Sequence, residues 1–353
     1  MGHGSFGRLI PAVSLALPAL LLLCGCIDSP ATTEPPNPYA SELELLWELF
    51  DGEYAGFEGS GVDWQGVLQS FLPQANAVSS EAGMTYLMSD LLGELSDPNI
   101  VLVSPQGDTL RPCDPSVEQN CDLELLEDYL EPWDFQWRQV GIWGFCLAGE
   151  DSAGYVVLQS WDAGLNVSLF DNVLQTVPAE PGLIIDARLC AGGVESSVYK
   201  VVRRFVDVQR AGYLWRERQG AGTHDLTDPE PFWMVPRPWR YQGDVVVLTG
   251  GGNRGPAEAF PCMMGQLPQV TVIGDTTMGA GNWPADTFAL TEGRQVLCPV
   301  RVVLRPDSVA IQGAGVPPDL YVEATGADFS QGIDPVLEEA FGLLGASPPD
   351  RPR

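Results

Sequence analysis

Apolar residues recur at helical spacing over Glu42–Phe50, Asp63–Phe71 and Glu81–Leu95, with polar positions between them. These segments predict a small N-terminal helical cap. Asn99–Val103 reads as a strand, and Pro105–Asp134 as a polar surface excursion. From Tyr155 onward the period switches repeatedly between that of a buried strand and that of an amphipathic helix. Tyr155–Gln159 predicts a strand and Leu165–Thr176 a helix; Gly182–Asp186 a strand and Glu195–Phe205 a helix; Asp244–Thr249 a strand, Ala257–Met264 a helix and Val270–Gly274 a strand. Val296–Leu304 reads as one longer strand, and Asp334–Leu344 as a closing helix. Strands alternating with helices imply an α/β core. The aromatic-rich stretch Tyr213–Tyr241 reads as a long covering loop, with Trp215, Trp233 and Trp239 as packing residues rather than ligand stackers.

The first 40 residues do not belong to that pattern. Arg8 precedes an apolar run, Leu9–Leu23, that is short for a membrane span and ends in Leu23-Cys24-Gly25-Cys26. This resembles a bacterial lipobox, which implies cleavage before Cys26, acylation of its thiol and attachment to a lipid bilayer. "SPATTEPPNP", Ser29–Pro38, reads as a flexible Pro-rich tether. The expected organisation is a leader at 1–25, a tether at 26–40, the cap at 41–98, an α/β core at 99–345 and a disordered tail at 346–353. The expected location is the bacterial cell envelope, facing the periplasm or the cell surface.

Composition narrows the partners. The 353 residues carry 47 acidic and 18 basic side chains, a formal charge of −29. Nucleic acid is excluded as a partner, because phosphate binding needs a basic face. Lys200 is the sole lysine, and His224 the sole histidine beyond the extreme N-terminus; they read as a surface lysine and a solvated loop histidine. Without Cys24 and Cys26, six cysteines remain: Cys113, Cys121, Cys146, Cys190, Cys262 and Cys298. In an exported chain an even number suggests disulfides, with Cys113–Cys121 the pair nearest in sequence. No Cys or His spacing suggests a metal, and no cofactor is expected.

Six stretches in series carry a resemblance. "LFDGEYAGFEGSGVDWQGVL" (Leu49–Leu68), "LLGELSDPNIVL", "GLIIDARLCAGG" (Gly182–Gly193), "LTGGGNRGPAEAF" (Leu248–Phe260), "VIGDTTMGAGNWP" and "IQGAGVPPDLYVE" resemble, in order, motifs of the tail-specific (C-terminal-processing) serine peptidases, which share a catalytic core with tricorn protease. The resemblance runs from about Leu46 to Ala340. It implies an α/β (α+β) tail-specific-protease, ClpP/crotonase-like core. The roughly 50 residues between Asn99 and Tyr155 are too few for an inserted PDZ domain.

Carried over position by position, the family's chemistry is missing. The nucleophilic serine of T-x-x-x-x-S-A-x-E falls on Gly255, three residues before Glu258. The lysine-dyad base falls on Ala280, the histidine of L-x-D-x-H on Asn99, and the supporting Glu on Gln312. One oxyanion donor should be the backbone N–H after the nucleophile; Pro256 stands there and has none. Such a donor is worth about 2.7–4 kcal/mol of transition-state stabilisation. Gly255 and Pro256 instead suit an N-cap and a first helical residue. Asp186, Arg188 and Glu258 read as scaffold. The expectation is an inactive member whose cleft, formed by Gly192, Gly193, Gly255, Pro256, Thr277 and Gly279, binds a peptide or protein. Two alternatives remain: a hydrolase using Cys190 or Cys262 as nucleophile, and a structural lipoprotein whose groove is plugged by aromatics from Tyr213–Tyr241.

Overall fold

The computed structural model describes residues 37–348 except 59, 134, 139–142, 148–152, 221 and 223; Cys26, the leader and most of the tether lie outside the described residues. The three cap helices are Pro38–Glu53, Trp64–Ala77 and Glu81–Gly93. Each starts on a side-chain cap: Asn37, Asp63 and Ser80 accept backbone N–H groups of the first turn. Their apolar stripes, including Leu43, Leu46, Phe50, Phe71, Met84 and Leu91, close over one face of a four-stranded antiparallel sheet. That sheet runs Ala285–Ala289, Gln295–Pro299, Val101–Val103, Thr109–Leu110.

The core is a seven-stranded sheet in the order Leu320–Tyr321, Val270–Gly274, Val245–Thr249, Leu183–Asp186, Gly154–Leu158, Trp143–Leu147, Gln136–Arg138. The first five strands are parallel and the last two pair antiparallel. Its central strands are apolar up to their carboxyl ends, where Asp186 and Thr249 stand, because both faces are covered. Val245 and Val247 point to a layer holding helices Val167–Thr176, Glu195–Val202 and Pro256–Met264. Val246 and Leu248 point to the opposite layer, with helices Leu123–Leu130 and Pro335–Leu343. Among the described residues, no helix is long and apolar enough to cross a membrane.

Four expectations change. The 213–241 stretch is not a loop throughout: strands Arg210–Glu217 and Glu230–Met234 form a hairpin that pairs with Arg301–Leu304 in a third sheet. The aromatic density is that of a strand pair, with Tyr213 stacked on Phe232 at 4.7 Å. The single strand at 296–304 is two strands in different sheets, broken between Pro299 and Arg301. The 105–134 excursion contains the helix Leu123–Leu130, whose Leu126, Tyr129 and Leu130 are core residues.

The fourth change concerns the cysteines. Cys113, Cys121, Cys190, Cys262 and Cys298 are free thiols. Cys121 and Cys298 are buried in separate apolar clusters, and Cys190 and Cys262 in a third, so each packs as a small hydrophobe. The side chain of Cys146 lies outside the described residues.

Candidate functional site

Parallel α/β sheets place their sites beyond the carboxyl ends of the strands, and three such ends converge here. Asp186 leads into the turn 187–193, Thr249 into the turn 250–255, and Gly274 into the segment 275–282. Asn253 joins the first two: its Nδ2 donates to the carbonyls of Ala187 and Cys190 at 2.7 and 2.9 Å, and its Oδ1 accepts from Gly250 N. The first turn is anchored from below by a buried ion cluster. Arg188 donates to Asp186 (2.7 Å) and to both oxygens of Asp334 (2.8 Å each), all three being essentially inaccessible. Asp186 and Arg188 are thus scaffold. Asp334, 146 residues away in sequence, is the partner that no local motif announces.

The turn at Gly255 begins the helix Pro256–Met264, with Gly255 as N-cap at φ 54°, ψ −128°. That backbone region is open to glycine and strained for other residues. Gly255 N donates to Glu258 Oε2 at 3.1 Å, so the first turn closes on its own third residue. Glu258 is fully buried and also accepts from Ala280 N (2.8 Å), Gly279 N (2.7 Å) and Thr277 Oγ1 (2.6 Å). Burial pushes its carboxyl up to about 7, against the pull of these four donors toward the charged form. Glu258 therefore clamps the helix start to the facing loop.

Asn99 occupies the space above Gly255. Its Nδ2 donates to the carbonyls of Ala280 and Asn282 at 2.8 and 2.9 Å, and its Oδ1 is aimed at Gly255. Asp97 sits behind it, fully buried, accepting from Tyr54 Oη (2.9 Å), Asn282 Nδ2 (2.8 Å) and Asn99 N (2.9 Å). Burial raises the Asp97 carboxyl above its ordinary range. Gln312 accepts from Gly281 N at 2.8 Å. The four positions singled out by resemblance, Gly255, Ala280, Asn99 and Gln312, lie in four separate loops that meet around the backbone of 280–282. As placed, they offer hydrogen bonds to the backbone of 280–282 and no titrating group.

A cleft of about 520 Å³ opens beside them, lined among others by Asn99, Gly192, Gly193, Pro256 and Trp283. Gly192 and Gly193 adopt φ of 137° and 134°; the Gly192 amide faces the Cys190 sulfur, and among the described residues the Gly193 amide has no backbone acceptor. Gly255, Thr277 and Gly279, expected as lining, are buried behind the cleft, the last two because their donors face Glu258. The aromatics of the hairpin do not plug it. Tyr213 is buried with its hydroxyl on Glu195, Trp215 packs under the Arg301 guanidinium at 4.2 Å, and Trp233 and Trp239 are exposed. Two arginines that line the cleft, Arg111 and Arg254, were not singled out. Their scarcity was the available signal, since Arg254 directly precedes the nucleophile position in a chain of 18 basic residues.

Cys190 and Cys262 are no better placed for chemistry. Both are buried, and burial pushes each thiol up to about 12. A nucleophilic thiol needs exposure and a lowered pKa. Lys200 and His224 are exposed, outside this cleft.

A model of peptidase family S41 matches residues 152–322, and one of the tricorn protease C1 domain matches residues 35–93. A carboxy-terminal-processing protease of Bartonella bacilliformis is 26% identical over 236 residues, 64% of this chain and 49% of that protein. The chain therefore spans about half the length of this curated relative. A crystal structure of a candidate peptidase from Parabacteroides merdae superposes with a TM-score of 0.76 at 27% identity, covering 87% of this chain and 97% of that one. The crystal structure of the tricorn protease superposes at 0.58 with 13% identity, covering 87% of this chain and 36% of that one; at that identity the likeness is one of fold.

Proposed function

The chain belongs to the tail-specific serine peptidase family S41, and from that premise we propose that it is a catalytically inactive member, held in the cell envelope by an acylated Cys26, whose cleft binds a peptide or protein partner. One observation carries the reading. At the turn where a nucleophile, its base and an oxyanion donor would meet, the chain has a glycine under a carboxamide, followed by an imide nitrogen without hydrogen. A tetrahedral adduct needs a nucleophile to form and donors to hold it. The turn still begins a helix, and the cleft beside it remains open. Retention of the cleft with loss of the reacting groups is what binding without turnover requires.

The test is to incubate the purified protein with a broad peptide library and read cleavage and retention in one run. Retained, uncut peptides support the proposal. Cleavage, or a stoichiometric fluorophosphonate adduct in the cleft, overturns the inactive assignment. Anchoring is tested separately by the mass of the N-terminal peptide after expression in a bacterial host, with a Cys26→Ser control.

A further inference from the structure

Two of the ten tryptophans, Trp233 and Trp239, stand out in solvent, although the sequence reads them as packing residues. Val235 is exposed between them, and Val208 lies two residues before Arg210, which pairs with Met234 in the hairpin. Trp239 is carried by the run Val235-Pro236-Arg237-Pro238-Trp239-Arg240. Its two prolines fix φ and offer no amide, so the backbone is preset before any contact. The face is tied down from behind. Tyr199, on the helix Glu195–Val202, meets Phe232 edge-on at 5.2 Å, and its hydroxyl accepts from Val235 N at 3.3 Å. Arg203 Nε donates to Val235 O at 3.1 Å, and Tyr241 N donates to Arg204 O at 2.7 Å.

This face is basic in an acidic chain. Six of the 18 basic residues, Lys200, Arg203, Arg204, Arg210, Arg237 and Arg240, fall in the segments 200–210 and 235–240, where Asp207 is the one acid. Asp207 takes Arg210, and Asp171 of the adjoining helix Val167–Thr176 takes both Arg204 and Arg237. Lys200, Arg203 and Arg240 have no carboxylate partner among the described residues. Exposed indole rings among unpaired cations suit a bilayer interface. The rings settle at headgroup level, and the cations meet lipid phosphates. At physiological salt, charges farther off than about 8 Å are screened. The local excess of cations, rather than the chain's −29, therefore meets an approaching surface.

We propose that the face of Trp233, Val235 and Trp239, ringed by Lys200, Arg203 and Arg240, docks on a bilayer surface rich in anionic phospholipid. Docking there is independent of what the cleft binds, and rests on the anchoring reading above only for the nearness of a bilayer. A tether alone sets how far the core can stray from the membrane; a docked face also fixes its orientation.

The experiment mixes the purified full-length protein with vesicles of phosphatidylcholine alone or of phosphatidylcholine with phosphatidylglycerol, each made with and without brominated acyl chains. Tryptophan emission is read at low and high salt, since bromine quenches rings seated in the bilayer. Quenching is expected on the phosphatidylglycerol vesicles, should fall at high salt, and should vanish in a Trp233→Ser, Trp239→Ser double variant. Lys200→Gln with Arg240→Gln should lower the ratio of docked to undocked protein, read from the quenched fraction, by roughly tenfold or more. None of these four side chains is buried and none lines the cleft, so both double variants should keep the parent's melting temperature. Protein that sits on the vesicles by an acylated N-terminus while bromine leaves its emission unchanged would overturn the docking and leave the anchor standing. Quenching of a protein whose N-terminal peptide carries no acyl group would uphold the docking and remove the anchor. Quenching that is equal on neutral and anionic vesicles, or that survives loss of both tryptophans, overturns the proposal. So does sedimentation of a dimer that the double tryptophan variant splits, because a second copy then covers this face.

Discussion

Asn99 Oδ1 stands 2.6 Å from the point where a β-carbon on Gly255 would be. The position that would carry a hydroxyl thus has no room for one, because the residue at the base position fills it. The two changes depend on each other. An Ala at 255 meets both the positive φ and the Asn99 oxygen, so Gly255→Ala should destabilise the fold by about 1–3 kcal/mol. In an Asn99→Ala background the same substitution should cost measurably less, since only the backbone strain remains. A double-mutant cycle by urea denaturation checks this; purely additive effects would refute the steric link.

A serine alone should not make an enzyme. Gly255→Ser leaves Asn99 in its way, no base, and Pro256 without a donor. The single variant is expected to take no fluorophosphonate label. Asn99→His also gives up the amide that ties Asn99 to the carbonyls of Ala280 and Asn282, which lets the side chain turn away from residue 255; together with Gly255→Ser and Pro256→Ala it restores a nucleophile, a base and one amide. That triple variant should acquire a label detectable by intact mass. Labelling of the single serine variant would place a base elsewhere in the cleft.

Glu258 makes stability depend on pH. Its carboxyl is raised from 4.5 to about 7 by burial, so the folded state holds a proton that the unfolded state has released. Unfolding free energy attributable to this group is then fully present below about pH 4.5 and declines as pH rises toward 7, by on the order of 3 kcal/mol. Glu258→Gln removes the titration but faces the four donors with an amide hydrogen. It should be less stable than the parent at low pH, and the gap should narrow as pH rises to 7 and stay constant above. Urea titrations of parent and variant across pH 5–8 read this out; a gap independent of pH would contradict it.

The four buried thiols should be silent in the folded protein. Burial raises Cys121, Cys190, Cys262 and Cys298 above the ordinary thiol range. Iodoacetamide on unreduced native protein should modify Cys113, which is only half-buried, well before these four. All five should react once the chain is unfolded in denaturant without reductant. A disulfide among the five would appear as two cysteines that stay unmodified in denaturant until reduced.

Local signals in the sequence reached the local parts of this site. The strand Val245–Thr249, the glycine turn and the helix from Pro256 follow from apolar runs punctuated by Gly and Pro. Six motifs in series bring Gly255, Asn99, Ala280 and Gln312 to one centre. What could not be read was set by distant pairing. The hairpin 210–234 looked like a loop because Gly, Pro and polar residues interrupt its aromatics at 218–231. Thr277 and Gly279 were expected to face the cleft, but the side chain that turns them inward, Glu258, lies on another element. Arg111 reaches the cleft from a segment that reads as polar surface.

Asp334 is the sharpest case of a distant partner, and it yields a further test. Its Oδ1 accepts from Leu337 N, capping the C-terminal helix, while both oxygens hold Arg188 under the double-glycine turn. Removing a partner from a buried ion cluster typically costs about 3–5 kcal/mol, because the remaining charge stays desolvated. Arg188→Met strands two carboxylates, Asp186 and Asp334, and should be the most damaging. Asp334→Ala strands Arg188 with Asp186 alone and also loses the cap. Asp334→Asn keeps the one oxygen that accepts from both Leu337 N and Arg188 Nη1, losing only the acceptor of Arg188 Nη2, and should be the mildest. The order Arg188→Met, Asp334→Ala, Asp334→Asn in urea midpoint, lowest first, is the expected result. An Arg188→Met variant as stable as the parent would mean that packing alone holds the turn 187–193, with the ions contributing nothing.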